Sequence, residues 1–146
     1  MGRLIGGVVV GYLTMFVLVF GSFTAAYLAM GANSAFQAGS YEPSTLWLVV
    51  SWVLGFLAAV AGGCVCMAIA RTPKGPLTLC IVVVVLGVLF AIPTLMGGPD
   101  ERPTVRTGDV ANMDAMMNAR QPAWLMVLNP ILGAVGVMVG GRLKGA

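Results

Sequence analysis

The chain has no histidine, and its 146 residues include only eight basic and five acidic side chains. Four stretches, 4–41, 43–70, 75–99 and 121–141, carry no charge at all. Each absence removes a class of chemistry. Without His there is no axial ligand for haem b and no His-dependent hydrolytic centre. Proton- and ion-coupled transporters place carboxylates, His or Lys inside the membrane, and these stretches contain none. Small multidrug antiporters depend on a Glu in their first span, which is missing here. Four-span thiol–quinone oxidoreductases use outward CxxC pairs, whereas Cys64, Cys66 and Cys80 include no such pair.

What remains is apolar length. About 20 consecutive apolar residues cross the roughly 30 Å hydrocarbon layer as a helix. The four uncharged stretches therefore predict four membrane spans, at about 4–30, 45–70, 76–97 and 122–141. Ile81-Val82-Val83-Val84-Val85-Leu86 and Leu46-Trp47-Leu48-Val49-Val50 offer no polar face. A helix apolar all round is surrounded by lipid or protein. The expected fold is a single all-α domain, an integral membrane antiparallel four-helix bundle. The first apolar run exceeds a signal-peptide core and is read as an uncleaved span. Gly6 stands where a myristoylation motif needs Ser or Thr.

Charge placement sets the expected orientation. Arg3, Arg71, Lys74, Arg142 and Lys144 flank span ends that four crossings bring to one side. Glu42, Asp100, Glu101, Asp109 and Asp114 fall on the other, with Arg102, Arg106 and Arg120. Lys and Arg mark the cytoplasmic face, so both termini are expected in the cytoplasm. Trp47, Trp52 and Trp124 would then form an aromatic belt at the outer interface. The basic residues are too scattered for a nucleic-acid surface.

Small residues recur at fourfold spacing: Gly7 and Gly11, then Gly21, Ala25 and Ala29 in span 1; Gly55, Ala59 and Gly63 in span 2; Gly136 and Gly140 in span 4. Such stripes let helix backbones approach closely. Pro43-Ser44-Thr45 signals the start of span 2. Pro93 should kink or end span 3, and Gly97-Gly98-Pro99 should break it. In the longest loop, residues 109–120 predict a short amphipathic helix on the outer surface or across the bundle mouth. Asp109 would cap it, with Val110, Met113, Met116 and Met117 on one face.

Three sets of residues carry what chemistry there is. Cys64, Cys66 and Cys80 lie at similar depth but fit a packing role better than a thiol or metal site. Met113, Met116 and Met117 have spacing that Cu(I) thioether ligation permits, although Met is also a common apolar filler. Asn129-Pro130 interrupts span 4, freeing a carbonyl and placing an amide inside the membrane, a candidate pathway element.

At 61–71, Ala-Gly-Gly-Cys-Val-Cys-Met-Ala-Ile-Ala-Arg, and at Pro122-Ala-Trp124, Leu128-Asn-Pro130 and Gly140-Gly-Arg-Leu-Lys144, the chain resembles small uncharacterised four-span bacterial inner-membrane proteins. The resemblance covers the general layout and implies a bacterial inner-membrane location. It brings no catalytic residues. The functional expectation is a non-catalytic membrane protein without cofactor. Its partners would be the lipid bilayer and other membrane subunits or copies of itself, as an accessory or stabilising subunit of a larger complex or a homo-oligomer. The alternative is a small transporter or channel for a neutral or lipid-like solute, or for copper.

Overall fold

The structure, a computed structural model, describes residues 1–97 and 101–145, with the backbone alone at Thr94. The order is α1 (Gly2–Met30), α2 (Ala32–Ala35), α3 (Thr45–Ala70), α4 (Lys74–Leu95), α5 (Asn112–Asn118) and α6 (Ala123–Gly145). Among the described residues there is no strand, only isolated bridges pairing Phe36 with Pro43 and Ser40 with Val105. Four of these helices, α1, α3, α4 and α6, are long and apolar enough to cross a membrane.

Helix ends depart from the sequence reading for local reasons. The helix α4 starts at Lys74 rather than 76, because Pro76 falls in the first turn, where a missing N–H costs nothing. It runs past Pro93 to Leu95, and Gly98, Pro99 and Asp100 lie outside the described residues. The last turn of α6 extends to Gly145 with Arg142 and Lys144 in it, where cations favour a helix C-terminus. Asp109 caps nothing: Gly108 turns at φ +74° just before it, and α5 begins after Ala111 without a side-chain cap. Ser44 does cap α3, its hydroxyl accepting from the Trp47 N–H at 3.1 Å.

Glycines decide which faces of the long helices meet. On α1, a Cβ at Gly7 would lie 2.8 Å from the Cys66 carbonyl, and one at Gly11 would lie 2.9 Å from the Gly62 carbonyl. On α6, a Cβ at Gly136 would sit 2.6 Å from the Ala59 Cβ, and one at Gly140 would strike the Val60 carbonyl. Gly63 faces the Val137 backbone equally closely. So α3 is the central helix, with α1 on one face and α6 on another. The helix α4 packs on α6, Gly87 receiving the Pro130 ring and Gly141 facing Pro76. Cys66, Leu79, Ala59 and Val137 are fully buried between them.

These contacts gather the start of α1, the end of α3, the start of α4 and the end of α6 at one end, called proximal here. At the distal end a second core forms from Tyr27, Ala32, Ala35, Phe36, Tyr41 and Ala115. Edge-to-face rings join Tyr27 to Phe36 and Trp47, and Phe36 to Tyr41. The 31–44 and 101–119 segments thus form a folded cap.

Candidate functional site

A cavity of about 660 Å³ occupies the distal half of the helix set, within the size range of small-molecule pockets. Tyr12, Met15, Phe16, Val19 and Phe23 of α1 form one wall, and Val83, Leu86, Gly87 and Phe90 of α4 face them. The floor comes from Gly55 and Phe56 on α3 and Asn129, Pro130 and Gly133 on α6. Asn112, Ala115 and Met116 of α5 lie at the distal end. No charged residue lines it among the described residues.

The cavity exists because α1 and α4 meet only where small residues allow it. Gly11 touches Leu79 near the proximal end. Further along, Phe16, Phe23 and Phe90 border open space between the two helices. The Pro130 ring against Gly87 fixes α4 to α6 instead.

Polar atoms in the lining are few. The Thr24 hydroxyl accepts from the Asn112 amide at 3.3 Å. Tyr27 donates its hydroxyl to the Val110 carbonyl at 2.7 Å. Ser51 donates back to the Leu48 carbonyl at 2.9 Å. The Asn129 carboxamide borders the cavity and is exposed. The buried Trp52 indole N–H has no hydrogen-bond partner among the described residues; that ring packs edge-on against Trp124 with centroids 6.1 Å apart.

The residues singled out from sequence fall in different places. Gly7, Gly11, Ala59, Gly63, Gly136 and Gly140 lie in helix contacts, as described above. Gly55 does not: a Cβ there would meet nothing within 4 Å, and the residue opens onto the cavity. The reason is geometric. The cavity lies beside this part of α3, so the first small residue of the stripe faces open space. Asn129 and Pro130 both line the cavity.

The Met helix departs from the sequence picture. Ala115, not a methionine, is its buried residue. Met113, Met116 and Met117 are exposed, and Met116 alone of the three borders the cavity, its sulfur 3.8 Å from the Asn112 amide. Small Ala115 fits the aromatic cap more closely than Met could.

The cysteines are separated by their packing. Cys64 donates its thiol to the Gly140 carbonyl at 3.2 Å, tying α3 to α6. Cys66 fills the α1–α3 contact, and Cys80 lies beside the core around Leu79. No group of three or more His, Cys, Asp or Glu side chains is placed to hold a metal among the described residues.

Two participants were not foreseen. Gly87 is the lone glycine in a Val- and Leu-rich run, a signal that could have pointed to Pro130. Arg106 had no such signal. It is 6% exposed and clamps the cap. Its guanidinium donates to the Ser40 and Gly108 carbonyls and, at 3.1 Å, to the Asn33 side-chain oxygen. Its cation lies 5.8 Å from the Phe36 ring centre, and its backbone N–H bonds the Gly39 carbonyl. The chain matches no protein-family model, no curated protein and no solved structure.

Proposed function

We propose that the protein is an antiparallel four-helix membrane bundle of a bacterial plasma membrane, both termini cytoplasmic, that binds a neutral, lipid-like molecule without transforming it. The single observation carrying this reading is the large, uncharged cavity. An apolar pocket of this size inside a membrane is filled by something, and lipid-like molecules are the solvent there. The proximal end carries Arg71, Lys74, Arg142 and Lys144, which supports its placement in the cytoplasm. A transported solute or a stored one fits equally. The copper version is not favoured, since Met113 and Met117 lie outside the lining.

Gly55→Leu tests the reading. The new side chain has open space to enter, so it fills the cavity without moving backbone. A headless photoreactive alkane in detergent micelles is expected to label the cavity-lining residues Met15, Val19, Val83 and Leu86 in the parent protein. The variant should lose roughly nine-tenths of that labelling, as expected where a ligand's apolar contacts are blocked, with an unchanged thermal midpoint. Equal labelling of both proteins would remove the cavity as a ligand site.

A second reading, an accessory subunit or homo-oligomer, is favoured by one feature. Gly21, Ala25 and Ala29 form an exposed stripe on α1, and a Cβ at Gly21 would meet nothing. Such a stripe suits a partner helix. Purification in mild detergent should then give a complex that Gly21→Leu dissociates; a monomer before and after the substitution counts against it.

A further inference from the structure

We infer that the cavity is filled sideways from the membrane, through the gap between α1 and α4, by a lipid carrying an uncharged head, with one acyl chain inside and the head at the level of Asn129. This rests on the reading of the cavity as a ligand site.

The cavity is closed by packing proximally and covered only in part distally, where Met116 borders it and is 51% exposed. Proximally, Leu79, Cys66 and Val137 are fully buried where α1, α3, α4 and α6 converge. Distally, α5 lies across the mouth, held by the Tyr27–Val110 and Thr24–Asn112 bonds and by the Arg106 clamp on the neighbouring loop. The side between α1 and α4 is different. Phe16 is 61% exposed and Phe90 76% exposed, yet both border the cavity. They are the two lips of an opening that faces the hydrocarbon. A molecule arriving there is already dissolved in the membrane.

Depth selects the kind of lipid. On α1 the lining runs from Tyr12 to Tyr27, about 22 Å of helix at ~1.5 Å per residue. One leaflet of a bilayer roughly 40–45 Å thick with its headgroups is about 21 Å deep, so the cavity fits one lipid of a single leaflet. Thr24, Ser51 and Asn129 each stand six residues from the distal end of their helix, and hence about 9 Å deep. Thr24 and Ser51 are already hydrogen-bonded. Asn129 borders the cavity and is exposed, so its amide is open to a ligand. A hydroxyl or ester of a glyceride-like head would satisfy it. A phosphate would meet no cation in this lining, and an unpaired buried ion costs far more.

The test uses the full chain in phosphatidylcholine vesicles with three trace photoprobes of one chain length: a monoacylglycerol, a lysophosphatidate and the headless alkane. Monoacylglycerol should label the cavity-lining residues Met15, Val19, Val83 and Leu86 well above lysophosphatidate. Asn129→Leu should lower monoacylglycerol labelling about tenfold, the worth of one hydrogen bond in a membrane interior, and leave alkane labelling unchanged. Phe90→Ala should speed labelling, whereas Arg106→Met, which loosens the distal cap, should not. Equal labelling by lysophosphatidate, or indifference to Asn129→Leu while the alkane still labels, overturns the head assignment and leaves the ligand site standing. Acceleration by Arg106→Met and not by Phe90→Ala overturns the sideways route. Alkane labelling that Gly55→Leu fails to suppress removes the underlying site itself.

Discussion

Leucine at Gly63 or Gly140 is expected to separate α3 from α6 and to cost about 3 kcal/mol or more, the upper range for overfilling a packed interior. At both positions the added Cβ runs into main chain, the Val137 backbone in one case and the Val60 carbonyl in the other. A side chain can swing aside, but a helical carbonyl cannot without moving its helix. The same displacement breaks the bond from the Cys64 thiol to the Gly140 carbonyl. The helices themselves persist, because their apolar surfaces keep them in lipid. The loss therefore falls on helix–helix packing. Thermal unfolding in detergent, followed by size-exclusion chromatography, reads the effect. Gly55→Leu is the internal control: the same substitution on the same helix, with open space in place of a carbonyl. A Gly63→Leu protein that melts with the parent would show that the close approach contributes nothing.

Arg106→Met is expected to release the distal cap while leaving the long helices intact. Methionine approximates the volume of the side chain but abandons three acceptors, on Ser40, Gly108 and Asn33. Hydrogen bonds to charged groups contribute about 1.5–3 kcal/mol each. Their geometry is shared, so the net loss should be about 3 kcal/mol rather than the sum. The face of Phe36 also loses its cation. A destabilisation of that size raises the open fraction of the cap roughly a hundredfold. Proteinase K cutting within 101–111 should accelerate accordingly, with the long helices still protected. Arg106→Lys should fall between, since an ammonium cannot reach three acceptors as a planar fork does. Equal cutting of parent and Arg106→Met protein would mean that the cap is held elsewhere, by Tyr27 and the Arg120 backbone bond to Tyr41.

Residues that fix the cap were hidden in the sequence because their role is non-local. Arg106 reads as one more charge in a polar loop. Its acceptors lie 66 and 73 positions away, on Ser40 and Asn33, and no spacing rule connects them. The Met helix misled for a related reason. Helical periodicity places Met113, Met116 and Met117 on one face but cannot say which face is buried. The aromatic cluster took the small Ala115 instead. Asn129 and Pro130 were read as an interruption of span 4, but α6 runs unbroken through them from Ala123 to Gly145; only the packing of Pro130 on Gly87 and the open space around Gly55 show what they border.

The sequence alone determined that four helices are long and apolar enough to cross a membrane, and that the charges lie in the segments between them or at the chain's ends. Those properties depend only on the length of uncharged runs, because insertion into hydrocarbon is counted along the chain. It could not determine which side of each helix faces inward. The helices are apolar on every side, so no periodic contrast marks an inner face. Tertiary structure decided that through backbone approach. Where glycine met a neighbouring carbonyl the helices closed, and beside Phe16, Phe23 and Phe90 open space was left as the cavity.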